Sequence, residues 1–169
     1  MSKMDAPADP LPNPPPLRGR GKVRVQSAPF DAAAEARALT AGRTDVGAVV
    51  TFVGLCRDEG GTLAALELEH YPGMAEEEIA RVVDEACARW PLTGATAIHR
   101  FGKIAPGAEI VLVVTASAHR AAAFAAAEFL MDYLKTRAPF WKKEHRTDGT
   151  SGDWVAAKDA DDAAAERWG

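Results

Sequence analysis

The chain has 169 residues, 47% of them hydrophobic, with a formal net charge of −4 and two cysteines, Cys56 and Cys87. This length supports one domain with its own core, and the acidic balance argues against a protein devoted to nucleic acid, because such domains usually carry a basic face. Since the sequence has no disulfide framework, no signal peptide and no apolar run of the ~20 residues that span a bilayer, we expect a cytoplasmic protein that does not enter a membrane.

The N-terminal part of the chain predicts a disordered lead-in, a strand and a helix. Residues 1–21 hold six of the eleven prolines and little to bury, so we expect them to precede a single domain that spans 22–169. The segment "KVRVQ" is typical of a short strand. Asp31 then suits the N-cap of an alanine-rich helix, and Gly42 suits its end.

The middle of the chain predicts two neighbouring strands and an amphipathic helix. Residues 46–57 are β-branched and apolar, which favours a buried strand, and residues 62–71 alternate like a second strand. The glycine loop between them indicates a hairpin-like pair. After the turn "YPGM", an acidic first turn suits the positive end of a helix. The apolar positions of this helix are Ile79, Val82, Val83, Ala86 and Trp90.

The C-terminal part predicts two further strands, at 95–102 and 109–117, and then a long helix that Ser117 caps and Pro139 ends. The apolar stripe of this helix consists of Phe124, Ala127, Met131 and Leu134. A late strand around "DWVAA" and a short helix at 159–168 close the chain. Strands interleaved with helices indicate an α+β or mixed α/β domain.

The basic segment 135–146 has five basic side chains and one acidic side chain, whereas the tail after it is acidic. Such a cluster indicates an anionic ligand. Lys135 follows the apolar stripe, so partial desolvation would make its amine a usable nucleophile or proton donor, although a lysine that buries only its stem is more common. Lys142 and Lys143 suit a phosphate. The aromatic pair before them forms either a stacking platform for a ring or part of the core.

Three other basic residues lie where predicted strands end. His119 and Arg120 open a helix, where unpaired backbone N–H groups attract anions, but an ordinary solvated first turn explains them as well. Arg57 precedes a glycine loop, as anion-binding arginines often do, and taken alone is a surface arginine. Cys56 beside it is either a thiol activated by the neighbouring cation or a small buried hydrophobe.

Several common signatures are absent from the sequence, namely a glycine-rich phosphate loop ending in Gly-Lys-Ser/Thr, a dinucleotide-binding fingerprint and a His-Glu-x-x-His motif. The four histidines form no i,i+3 or i,i+4 pair, so no two of them share a helix face as metal ligands. We therefore expect no metal site and no bound cofactor.

Five motifs occur along the chain in the order "TFVGLCR", "LEHYPGM", "IHRFG", "SAHRAAAF" and "MDYLKTRAPFWKKE". In their order and spacing they resemble the MoaE family, the large catalytic subunits of molybdopterin synthase. The likeness covers roughly Val23 to Trp168, and the last motif is highly specific. The resemblance implies an α/β hammerhead domain with an additional antiparallel β subdomain.

The resemblance also implies a reaction, a sulfur transfer in molybdenum cofactor biosynthesis. Cyclic pyranopterin monophosphate receives two sulfurs and becomes the dithiolene-bearing molybdopterin. The sulfurs come from a thiocarboxylate on the C-terminal Gly-Gly of a small ubiquitin-like partner, MoaD, whose tail enters a pocket on the large subunit. The implied assembly is a homodimer of large subunits with one small subunit at each end, a 2:2 heterotetramer.

The family's site residues carry over onto matching positions of this sequence. Lys135 and Lys142 are the implied catalytic residues, while Phe52 and Met131 would shape the pocket. The implied substrate-binding positions are Leu55, Cys56, Arg57, His119, Arg120, Lys135, Lys142, Lys143 and Glu144. The match is loose at Leu55 and Cys56, for which we expect backbone contacts only, and at Lys143, which is often arginine in the family.

Two other functions fit parts of the sequence. A binding module could hold single-stranded nucleic acid on "PFWKKEHR" by base stacking and phosphate contacts, although the acidic composition and the isolated basic segment disfavour it. A phosphoester hydrolase could open a cyclic phosphate with water alone. The mass of the product separates hydrolysis from the synthase reaction, because only the synthase adds sulfur.

Overall fold

The computed structural model of the chain describes residues 21–156, 166 and 168–169. The strands in this part are β1 (Gly21–Gln26), β2 (Ala48–Leu55), β3 (Leu63–His70), β4 (Leu92–Arg100), β5 (Gly102–Ile104), β6 (Glu109–Ser117) and β7 (Phe140–Arg146). The helices are α1 (Ala32–Thr40), α2 (Met74–Arg89) and α3 (Arg120–Thr136). The α+β class predicted from the sequence is confirmed. None of the described helices is long and apolar enough to cross a membrane.

Two sheets organise the fold. The larger has the strand order β1-β4-β6-β2, in which only the β1–β4 pair is parallel. The smaller has the order β5-β3-β7 and is antiparallel throughout. This second sheet corresponds to the additional antiparallel subdomain that the sequence predicts.

Helices cover both faces of the larger sheet because its central strands are apolar on both sides. Ala97 and Val113 belong to the main core, which α2 and α3 complete. Ile98 and Leu112 are their immediate neighbours in the two strands, so they point to the opposite face, where they pack against α1. Strands buried on both faces are typical of sheets enclosed by helices.

The residues at the ends of the three helices agree in part with the sequence predictions. The side chain of Asp31 accepts a hydrogen bond from the backbone N–H of Ala34 at 3.0 Å, so the predicted N-cap of α1 is confirmed. The apolar face of α2 is also as predicted, except that Trp90 is its C-cap. Ser117, however, ends β6, and the N-cap of α3 is His119. The hydroxyl of Ser117 instead donates to the carbonyl of Pro91 at 2.9 Å.

The predicted hairpin is wrong, because β2 pairs with β6 and β3 pairs with β5 and β7. β2 is an edge strand with exposed positions, so the expectation of a buried strand is also wrong. Phe124 is 63% exposed and lies outside the apolar face of α3, which otherwise contains the predicted Ala127, Met131 and Leu134.

The sequence did not predict β5 or β7. The predicted late strand is replaced by single bridges, Lys142 to Val155 and His145 to Ser151. The predicted lead-in lies outside the described residues except for Gly21, the first residue of β1. The predicted helix at 159–168 also falls almost entirely outside them.

Candidate active site

A cavity of about 840 Å³ opens where the two sheets meet, beside the C-terminal end of α3. Its walls come from the end of β2 and the loop after it, from β3 and β7, and from the last turns of α3. This volume is in the range of sites that enclose a small molecule. Six charged side chains line it, namely Arg57, Glu59, Lys135, Lys142, Glu144 and Arg146. Four are basic and two acidic, so the cavity favours an anion.

Helix α3 fixes the position of Lys135. Met131 and Leu134 are buried on the core side of the last turns, and both also line the cavity. Lys135 follows Leu134 and is exposed at the cavity rim. The chain by itself therefore does not supply the partial desolvation expected for this lysine.

Strand β7 divides the basic segment between two faces, because successive side chains of a strand point to opposite sides. Lys142, Glu144 and Arg146 line the cavity. Lys143 points away, and its ammonium lies 5.5 Å from the centre of the Trp154 ring. The structure therefore does not bring Lys143 to the cavity.

This division also affects two sequence hypotheses. Phe140 faces the cavity while Trp141 lies on the opposite side of β7, so the two aromatics do not form one stacking platform. Lys142 is not on an open segment, since its backbone bonds to Val155 in both directions at 2.8 Å. A continuous surface for single-stranded nucleic acid is therefore not formed by this segment.

The end of β2 contributes three consecutive predicted residues. Leu55 is 56% exposed and Arg57 is exposed with an ion pair to Glu59. Cys56 between them is only 2% exposed, and its thiol lies 3.8 Å from the carbonyl oxygen of Ile104. Burial, the largest cause, raises the pKa of the Cys56 thiol, which disfavours an activated thiolate. The alternative of a small buried hydrophobe fits this position.

The two predicted pocket-shaping residues, Phe52 and Met131, both line the cavity. His119 and Arg120 do not. They are exposed at the N-terminal end of α3, whereas Lys135 lies at its C-terminal end, so about 22 Å of helix separates Arg120 from Lys135. Within one chain, these two ends of α3 cannot contact the same small ligand.

His99, near the end of β4, is a cavity residue that the sequence analysis did not assign. Its ring is 8% exposed and stacks on Phe140, with 3.8 Å between the ring centres and an angle of 16°. Burial, together with the nearby charges of Lys142 and His70, lowers the pKa of His99 to about 4. The ring is therefore neutral near pH 7. The sequence feature that could have indicated His99 is an ionisable residue within an otherwise apolar strand.

A family model described as "MoaE protein" matches residues 25–137. The catalytic subunit of molybdopterin synthase from Mesorhizobium japonicum is 71% identical over 146 residues, which are 86% of this chain and 92% of the relative.

Solved structures show the same similarity. A MoaE protein from Burkholderia ambifaria is 48% identical with a TM-score of 0.76, over 88% of this chain and 97% of that one. A molybdopterin synthase from Staphylococcus aureus is 30% identical with a TM-score of 0.71, over 78% of this chain and 95% of that one. The resemblance found in the sequence motifs thus extends to the fold of 88% of this chain.

Proposed function

The chain belongs to the MoaE family, and we propose that it is the catalytic subunit of a molybdopterin synthase. In this reaction two sulfurs pass from the C-terminal thiocarboxylate of a small MoaD-like subunit to cyclic pyranopterin monophosphate. Each transfer leaves the donor tail as a carboxylate. The product carries the dithiolene that binds molybdenum. We assign this role to a single domain at 22–169 that acts in the cytoplasm, in keeping with two cysteines that form no disulfide within the described residues.

One observation supports this function most strongly, the convergence of Arg57, Lys135 and Lys142 on one net basic cavity from three different elements. Both proposed ligands are anions, a cyclic phosphate and a thiocarboxylate, and charge-assisted hydrogen bonds from lysine and arginine are strong contacts for such groups. Phe52 and Met131 supply apolar walls against which a flat ring can pack.

Lys135 and Lys142 have different roles in this proposal. Lys135 projects from the rim, where a peptide tail enters, so it acts on the terminal glycine as nucleophile on the acyl carbon or as proton donor. A bound tail and pterin would supply the desolvation that the exposed side chain lacks alone. Lys142 lies deeper on β7 and binds the phosphate, together with Arg57. Glu144 and the backbone at Leu55 and Cys56 contact the pterin from the same walls.

The position of His119 and Arg120 suggests that two copies of the chain build each site. These residues are about 22 Å along α3 from the lysine of their own cavity, yet the family resemblance assigns them to substrate binding. A homodimer reconciles the distance with the assignment to substrate binding if His119 and Arg120 of one copy reach into the cavity of the second copy. Lys143 lies on the outer face of β7, so it either stabilises the strand that carries Lys142 or contacts the small subunit. The complete assembly is a 2:2 heterotetramer.

Reconstitution tests the proposal. The purified chain, a small subunit that carries a Gly-Gly thiocarboxylate, and cyclic pyranopterin monophosphate should together give a product that has gained sulfur, as seen by mass spectrometry. The same mixture with a small subunit that ends in an ordinary carboxylate should give none. A product that has gained only water would instead indicate a hydrolase.

A further inference from the structure

The buried ring of His99 has one nitrogen whose role is defined and one that is unused. Nδ1 lies 2.8 Å from the carbonyl oxygen of Arg100. A carbonyl oxygen only accepts hydrogen bonds, so Nδ1 must carry the proton. In a neutral imidazole the other nitrogen, Nε2, then has a free lone pair and is an acceptor. No residue in the described part of the chain donates a hydrogen bond to it.

Packing holds this ring in place. The stack on Phe140 restrains one face, and β4 lies between β1 and β6, opposite Val25 and Val111. The charged or titratable groups around it are Lys142 on β7 and His70 on β3, and both disfavour protonation of the ring. His99 is thus held as a neutral acceptor on the wall of a cavity whose basic side chains are all donors.

We propose that His99 is a substrate-contacting residue, and that its Nε2 accepts a hydrogen bond from an N–H group of the pterin ring. The cavity then has two chemically different regions. Lysine and arginine side chains donate to the phosphate, and His99 accepts from the nitrogen-rich edge of the heterocycle. A bound ligand removes water from this acceptor on the cavity wall, so a ligand that lacks the matching donor leaves Nε2 without a partner and binds less tightly. The inference rests on the proposed function, because it takes the pterin as the ligand.

Three substitutions separate this role from a structural one. His99→Asn keeps a donor at the position of Nδ1 for the Arg100 carbonyl but has no acceptor at the position of Nε2. His99→Gln places its amide oxygen near that position. His99→Phe keeps the stack on Phe140 and removes both nitrogens. Loss of a neutral hydrogen bond weakens binding by about 3-fold to 10-fold, so the Asn and Phe variants should raise KM for the pterin by that factor. The Gln variant should stay near wild type.

A structural role predicts a different order, because retention of the Arg100 contact would then make Asn the best substitute. Thermal unfolding measured on all three variants identifies losses that come from misfolding. Equal pterin KM values in wild type and in the Asn and Phe variants would overturn the inference. So would a Gln variant that folds but is as impaired as Phe.

Nitrogen NMR of the wild-type protein gives a test that needs no variant. The chain has four histidines, so 15N-histidine labelling gives a simple spectrum, assigned with the Gln variant. Titration with cyclic pyranopterin monophosphate should move the unprotonated Nε2 signal of His99 upfield, as expected when a lone pair accepts a hydrogen bond. Product formation by the same labelled protein, after the thiocarboxylated small subunit is added, tests the proposed function separately. If product forms and the His99 signal does not move, the function stands and this inference fails.

Discussion

Arg120 and Lys135 lie at opposite ends of α3, and we propose that Arg120 acts in the cavity of the second copy of the dimer. We therefore expect an Arg120→Ala chain and a Lys135→Ala chain to restore activity when they form a mixed dimer. If each cavity uses Lys135 from one chain and Arg120 from the second, a mixed dimer of Arg120→Ala and Lys135→Ala places both lesions in one cavity. The other cavity is intact. Wild-type chemistry therefore returns at one site of each mixed dimer.

The expected magnitude follows from the contacts removed. A charge-assisted hydrogen bond contributes about 1.5–3 kcal/mol, so each homodimeric variant should lose about one to two powers of ten in activity at subsaturating pterin. In a two-fold symmetric dimer, purified mixed dimers should have about half of the wild-type activity.

The assay uses co-expression of the two variants with different affinity tags, tandem purification of the mixed dimer and measurement of molybdopterin formation with a thiocarboxylated small subunit. A mixed dimer of Lys135→Ala and Lys142→Ala is the matched control. Both of these residues line the same cavity, so every site keeps one lesion and no activity should return. If the Arg120 and Lys135 variants give only the mean of the two homodimers, Arg120 does not act in the second copy's cavity.

Three further outcomes are expected. Extension of the small subunit's C-terminus by one residue should abolish product, because the thiocarboxylate is lost and the tail no longer ends at Lys135. Normal turnover with such a tail would contradict the C-terminal thiocarboxylate as the sulfur donor. The double substitution Cys56→Ala with Cys87→Ala should retain most activity, since both thiols are buried. Complete loss of sulfur transfer in a folded double variant would show that a thiol carries sulfur. Lys135→Ala should lower the single-turnover rate constant even at saturating pterin, whereas excess pterin should partly restore Lys142→Ala; restoration of the Lys135 variant to the wild-type rate would make Lys135 a binding residue only.

Elements whose signals are local in sequence could be predicted. The apolar spacing and acidic first turn of α2, and the Asp31 cap of α1, depend on residues a few positions apart. Strand pairing could not be predicted in this way. β2 and β3 are consecutive and joined by a glycine loop, yet each pairs with strands that are distant in sequence. A strand of three residues such as β5 carries too little alternation to be recognised.

The site shows the same limit. The motif resemblance predicted Lys135 and Lys142 as catalytic residues, and both line the cavity, while their catalytic role stays a prediction. Treating the basic segment as one surface failed because β7 was not recognised as a strand, and a strand sends Lys142 and Lys143 to opposite faces. His99 was missed because neither its burial on the cavity wall nor the contact of its Nδ1 with the carbonyl of Arg100 can be deduced from the sequence alone.

The source of the transferred sulfur tests the proposed function most directly. The small subunit is prepared with a thiocarboxylate that contains a heavy sulfur isotope, and the unlabelled chain and cyclic pyranopterin monophosphate are added for multiple turnovers. Mass spectrometry of the pterin product should find two heavy sulfur atoms in each molecule, with no dilution by the sulfur of Cys56 or Cys87. A product with unlabelled sulfur, or one that has gained water and no sulfur, would contradict the proposed function.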